Sequence, residues 1–184
     1  MKPAMRTLFI SAILLLSLVS TCKTPAHAED QTLEYKVKAA YLYNFTKFVS
    51  WPALSLPEDR QPINICVAGK NPFGSLLEPL TRMKTQDRSI TIENIKDVRD
   101  LEKRSCQMLF ISSSEQGGIT ELLRKSAGMH ILTVSDIDGF AQHDGMIGFA
   151  IKDGKVRLEI NLRAARKAGL AISAKLLEIA TVIP

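Results

Sequence analysis

Few residues of this sequence combine the types and spacing that bond-making needs. Ser112-Ser113-Ser114 offer three adjacent hydroxyls. No G-x-S-x-G elbow surrounds them to expose a nucleophile, and no His–acid partnership can be argued from positions along the chain. Gly69-Lys70-Asn71-Pro72-Phe73-Gly74-Ser75 follows an apolar run and precedes a helical one, which is where a phosphate loop sits. It lacks the Lys-Ser/Thr pair after the second glycine that the Walker pattern uses, so a small anion at a helix start is the chemistry left to it. Asp136-x-Asp138-Gly139 has the opening of a calcium loop without the remaining ligands or the closing Glu, and reads as an Asp-rich turn. Downstream of residue 28 the histidines are His130 and His143, too scattered for ligand spacing. The expectation is therefore no catalytic residue, no metal and no cofactor. Gly69, Gly74, Ser112 and Ser113 stay as ligand-binding candidates, because loops at strand ends host ligands in open α/β sheets.

The cysteines depend on where the chain resides. Residues 1–28 read as a secretory signal: Lys2 and Arg6 make a basic start, and Leu8 to Val19 is an apolar run of twelve residues. That run is too short for a bilayer core of roughly 30 Å. Ala26-His27-Ala28 is an A-x-A cleavage site, so cleavage is expected after Ala28, leaving 29–184 as a single exported domain. A lipoprotein signal acylated at Cys22 is the competing reading, for which Thr21 before the cysteine is a poor fit. The exported chain keeps Cys66 and Cys106, an even count in an oxidising compartment. A disulfide between them would close a loop of about 40 residues and stabilise by about 4 kcal/mol. Two buried, reduced thiols are the other reading.

Charge narrows the partners. The formal net charge is +5, but Lys2, Arg6 and Lys23 lie in the leader with no acid among them, so the remainder carries +2. A domain that near neutrality has no electrostatic footprint for nucleic acid. Its length of 184 residues suits one domain with a core.

Hydrophobic periodicity supplies the elements. Leu33, Val37, Ala40, Tyr41, Phe45 and Phe48 recur at helical spacing, predicting a helix over 33–50 with Glu34, Lys38 and Lys47 off its apolar stripe. Tyr35, Tyr41, Tyr43, Phe45, Phe48 and Trp51 crowd this segment, which packs on the sheet or forms a partner surface. Strands are expected at 63–68, 90–95, 108–111 and 129–134, with a helix at 119–126 and helical turns at 75–82 and 97–103. Met108 to Ile111, apolar throughout, reads as a central strand buried on both faces. Ile147, Phe149 and Ile151, then Val156, Leu158, Ile160 and Leu162, alternate at period two around Asp153-Gly154, which predicts a tight hairpin. Asn161 is placed to cap a helix ending near Gly169, and Ser173 to start another reaching Ala180. Strands alternating with helices predict an α/β fold: a mostly parallel sheet with helices on both faces, and a closing C-terminal antiparallel hairpin at one edge followed by helices.

The run E-Y-K-V-K-A-A-Y-L-Y-N-F-T-K-F-V-S-W-P at 34–52 resembles the amino-terminal signature of the YfiR family of exported bacterial proteins. G-M-I-G-F at 145–149, followed by K-V-R-L-E-I-N-L-R-A-A-R-K-A-G-L-A-I-S at 155–173, resembles its carboxyl signature. The resemblance implies a periplasmic, dimeric α/β repressor. Such a protein holds the periplasmic domain of an inner-membrane diguanylate cyclase, or another envelope sensor, inactive; release raises cyclic di-GMP and promotes biofilm. It further implies redox response through cysteines, with Cys66 and Cys106 matching one family pair. A second pair found in some members is absent, since no cysteine follows Cys106. The docking face is expected at the hairpin, on Arg157, Glu159 and the nearby Phe149. A periplasmic small-ligand sensor serving a kinase or transporter is the alternative expectation, with its pocket at Gly69 to Gly74 and Ser112 to Ser114.

Overall fold

A computed structural model of the chain describes residues 26–55 and 61–184. The expected basic start, the apolar run and Cys22 lie outside the described residues. Residues 1–31 and 32–184 form two compact units. Of the first, the described part is the opening of helix α1 (Ala26–Phe48).

The second unit is built on one sheet. Its strands are β2 (Ile63–Ala68), β3 (Lys84–Thr85), β4 (Arg88–Ile95), β5 (Met108–Ile111), β6 (Leu132–Ser135), β7 (Ile147–Lys152), β8 (Lys155–Asn161) and β10 (Ala180–Ile183). They lie side by side in the order β10-β8-β7-β6-β5-β2-β4-β3. Pairings from β4 through β2, β5 and β6 to β7 are parallel, and β7–β8 is the antiparallel hairpin. Separately, β1 (Val49–Ser50) and β9 (Ala171–Ile172) pair antiparallel.

Alternation along the central strands divides the core. Ile65, Val67, Met108, Phe110, Leu132 and Val134 face one layer with Leu42 and Phe45 of α1. Cys66, Ala68, Leu109 and Ile111 face the other, with Leu101 and with Leu122 of helix α2 (Ile119–Ser126). Both faces are thus covered, as βαβ connections require. β5 is buried at all four positions.

The closing hairpin turns at Asp153 and Gly154 with φ of 53° and 67°, the backbone a two-residue type I′ turn needs. Helix α3 (Leu162–Lys167) comes next, capped by Asn161 Oδ1, which accepts from the Ala164 N–H at 2.8 Å.

Two expectations are corrected. The helix expected from Ser173 to Ala180 is only α4 (Ala174–Leu177), and the chain then becomes β10, parallel to β8 with Ala180 beside Leu158. The hairpin is therefore not the sheet edge. Thr181-Val182-Ile183 is β-branched throughout, which favours a strand, but its partner lies 22 residues upstream and leaves no local trace. The apolar stripe of α1 is also rotated: Leu33, Val37 and Ala40 are exposed, and the buried side carries Lys38, Ala39, Leu42, Phe45 and Thr46. Both sides of this helix are largely apolar, so periodicity alone selects neither.

Candidate functional site

The chain runs from β2 outward to β4 and then crosses back to β5 on the other side of β2. Between β2 and β5 the strand order reverses, and the crevice outside their carboxyl ends is where open α/β sheets take ligands. Gly69 leaves β2 there and Ser112 leaves β5. Ser112 N–H donates to Ala68 O at 3.1 Å, and Lys70 N–H donates to Ser114 Oγ at 2.9 Å. Gly69 has φ +84°, and a Cβ there would run into Ser114 Oγ and the Glu115 side chain. The two candidate loops are therefore brought into direct contact. Their hydroxyls are engaged with each other: Ser112 Oγ accepts from the Ser114 N–H at 3.4 Å and lies 3.3 Å from Ser114 Oγ. Ser113 is exposed, and Gly74 opens the 3-10 helix Gly74–Arg82 with nothing near its Cβ position.

One strand further along, the same sheet end holds a buried charged cluster. Asp136 leaves β6 with its side chain 5 % exposed, and Lys38 of α1 is 3 % exposed. Lys38 Nζ lies 3.0 Å from Asp136 Oδ2 and 2.5 Å from Glu34 Oε1 one helical turn away. Tyr35 donates its hydroxyl to the same Asp136 oxygen at 2.8 Å. Burial, then the hydrogen bond to Asp136, raises the Tyr35 phenol far above its ordinary value, so it stays a donor. Ser135 Oγ donates to Ile111 O at 2.7 Å and accepts from the Ile137 N–H at 3.0 Å, which fixes the strand exit around Asp136. Aromatic rings close the cluster: the Tyr35 ring meets Phe73 edge-on at 5.3 Å, and Lys38 Nζ sits 4.4 Å from the Tyr35 ring centroid. This arrangement clamps α1 to the sheet; its buried ammonium is paired, as burial of a charge demands. Helical periodicity puts Lys38 on the solvent side. The usable signal was Glu34–Lys38 at i, i+4 beside a strand-end aspartate.

The hairpin residues fall differently from expectation. Phe149 is 3 % exposed, stacked on Phe45 at 6.0 Å and against Tyr41 at 6.0 Å, so it packs in the core. Glu159 is 8 % exposed: it lies under the turn Phe140–Gln142 and accepts from Gln142 Nε2 at 2.9 Å and Lys152 Nζ at 2.9 Å. Those bonds, Lys152 first, hold its carboxyl below the ordinary range. Arg157 alone of the three is exposed. Strand alternation predicted two faces, but not that a loop from elsewhere covers the second.

Six large apolar side chains are exposed among the described residues, and four of them belong to one end of the unit. Ile151 is beside the hairpin turn. Ile179, 60 % exposed, immediately precedes β10, one step toward that turn from the Ala180–Leu158 pair. Leu33, 62 % exposed, and Val37 lie on α1 beside Lys38, which reaches the carboxyl end of β6. β7 runs parallel to β6 and ends in the hairpin turn, so these four share an end with Arg157.

Cys66 of β2 and Cys106, ahead of β5, are joined by a disulfide with Cα atoms 5.9 Å apart, and both are buried. It staples the two strands that flank the reversal in strand order.

A family model described as YfiR/HmsC-like matches residues 35–181. No curated protein matches the chain. Among solved structures, an ABC domain in complex with L-Trp from Streptococcus pneumonia is similar at 9% identity and a TM-score of 0.49, over 66% of this chain. This chain spans about half the length of that one, 55%. No helix among the described residues is long and apolar enough to cross a membrane.

Proposed function

The chain belongs to the YfiR/HmsC-like family, and from that membership we propose that it is a periplasmic regulatory binding protein that represses an inner-membrane diguanylate cyclase. It acts by population shift: it binds the inactive conformation of the cyclase's periplasmic domain more tightly and so stabilises it. Cyclic di-GMP falls while the complex holds. The leader is cleaved after Ala28, and the exported chain, residues 29–184, works as a homodimer.

The observation that carries the docking step is the concentration of exposed apolar side chains at the hairpin end. Leu33, Val37 and Ile151 are exposed at that end, and so is the cation Arg157. Apolar anchors and arginine are enriched at interface centres. The Cys66–Cys106 disulfide supports a redox input, since its loss would loosen the centre of the sheet. The small-ligand sensor is the weaker reading, because the hydroxyls of Ser112 and Ser114 are already engaged at the strand ends.

The test is crosslinking in the native envelope followed by identification of captured proteins, for the wild type and for Ile151→Asp, Leu33→Asp and Met83→Asp. Wild type and the Met83 variant should capture a membrane cyclase, and the two hairpin-end variants should lose it with a rise in cellular cyclic di-GMP. Recovery of no inner-membrane protein by the wild type would end this reading.

A further inference from the structure

The two edges of the eight-stranded sheet are built differently. At one edge, β3 is two residues long and carries the exposed Lys84, both of which discourage strand addition. At the other, β10 reads Ala180-Thr181-Val182-Ile183, with no charge, no internal proline and no bulge. Its inner side pairs with β8, and among the described residues no strand lies beyond it. Thr181 and Val182 are exposed, and Ile179 before them is among the most exposed apolar side chains of the unit. One edge is blunted; the other presents open backbone groups flanked by apolar side chains.

We propose that β10 is the homodimer interface: two copies pair their β10 strands antiparallel about a two-fold axis and join two sheets into one. This assignment rests on the homodimer proposed for the exported chain and names its surface. A second copy is the occupant that fits. A two-fold axis perpendicular to the sheet gives antiparallel strands, and each copy then supplies the edge that the other lacks. The strand carries no charge that would meet its own copy. Glu178, the nearest acid, is set by antiparallel pairing against the far end of the partner strand, about 20 Å or more from its counterpart at about 3.4 Å per residue. The exposed Ile179 and Val182 become covered in the same step. The pairing also leaves Ile151 and Arg157, on β7 and β8, free for the membrane partner.

The same axis sets one residue opposite its own copy, and the centre of the strand is Thr181 and Val182. The experiment uses the exported chain with its disulfide intact. Mass is measured by light scattering for the wild type, Thr181→Lys, Val182→Lys and the opposite-edge control Met83→Lys, each checked for folding by circular dichroism. Thr181→Cys and Val182→Cys are oxidised in parallel and run on non-reducing gels. The expected result is a dimeric wild type and control, monomeric lysine variants, and a covalent dimer from one of the two cysteine variants. A dimer that survives both lysine changes, with neither cysteine variant crosslinking, overturns the β10 interface and leaves the homodimer standing. A monomeric wild type overturns both.

Discussion

At the residue scale the most consequential side chain is Lys38. It is an ammonium buried between Asp136 and Glu34 under aromatic rings. Replacing it by Met would remove the cation that pairs with buried Asp136, and breaking a buried pair by removing one partner costs about 3–5 kcal/mol. Lys38→Met should therefore lower the urea midpoint sharply, and Lys38→Met combined with Asp136→Asn should recover much of the loss. If the single variant unfolds like wild type, the clamp contributes nothing. Tyr35 gives a pH signature. Its phenol is raised in the folded chain by burial and by Asp136, while in the unfolded chain it titrates near 10. The folded state thus keeps a proton that the unfolded state releases, so its contribution is complete below about pH 10 and is lost as pH rises beyond it. Between pH 9 and 11, stability should fall more steeply in wild type than in Tyr35→Phe, as read by chemical denaturation.

At the scale of elements, the disulfide and the hairpin do different work. Cys66–Cys106 spans 40 residues and crosses from β2 to the start of β5. On the loop-entropy account its removal costs about 4 kcal/mol, a large share of the 5–15 kcal/mol that typical domains have. Cys66→Ser and Cys106→Ser should each lower the melting temperature by a similar amount, and the double variant by little more than either, because one bond is lost in all three. The hairpin depends on its turn and on the start of the helix after it. Asn161 caps α3 and also donates from Nδ2 to Ala141 O at 2.9 Å. Asn161→Ala should cost about 1–3 kcal/mol, combining a lost cap with an unsatisfied buried carbonyl. A change within a few tenths of wild type would mean that water replaces both bonds.

At the scale of the whole molecule, the sheet is graded from centre to edge. β2, β5 and β6 are covered on both faces and should exchange their amide protons only through global unfolding. β3 should exchange through local opening. β10 discriminates: in a monomer it should behave like β3, and in a β10-paired dimer its protection should rise with protein concentration. Hydrogen exchange at two concentrations reads this directly. Much of this architecture was legible beforehand because it rests on local pattern. Period-two alternation around Asp153-Gly154, the continuous apolar run at 108–111 and Asn161 ahead of a helical run each specify an element from neighbours along the chain. Period and turn chemistry are properties of consecutive residues, so they determine elements, their order and the α/β class without reference to tertiary contacts. Which side of an element is buried depends on what arrives from far along the chain. Asp136 draws Lys38 inward and so turns α1, the turn at Phe140–Gln142 covers Glu159, and β8 recruits residues 180–183 as a strand. Each of those outcomes is a pairing between distant segments, decided by charge compensation and backbone hydrogen bonding in the assembled fold, where a one-dimensional pattern carries no record of them.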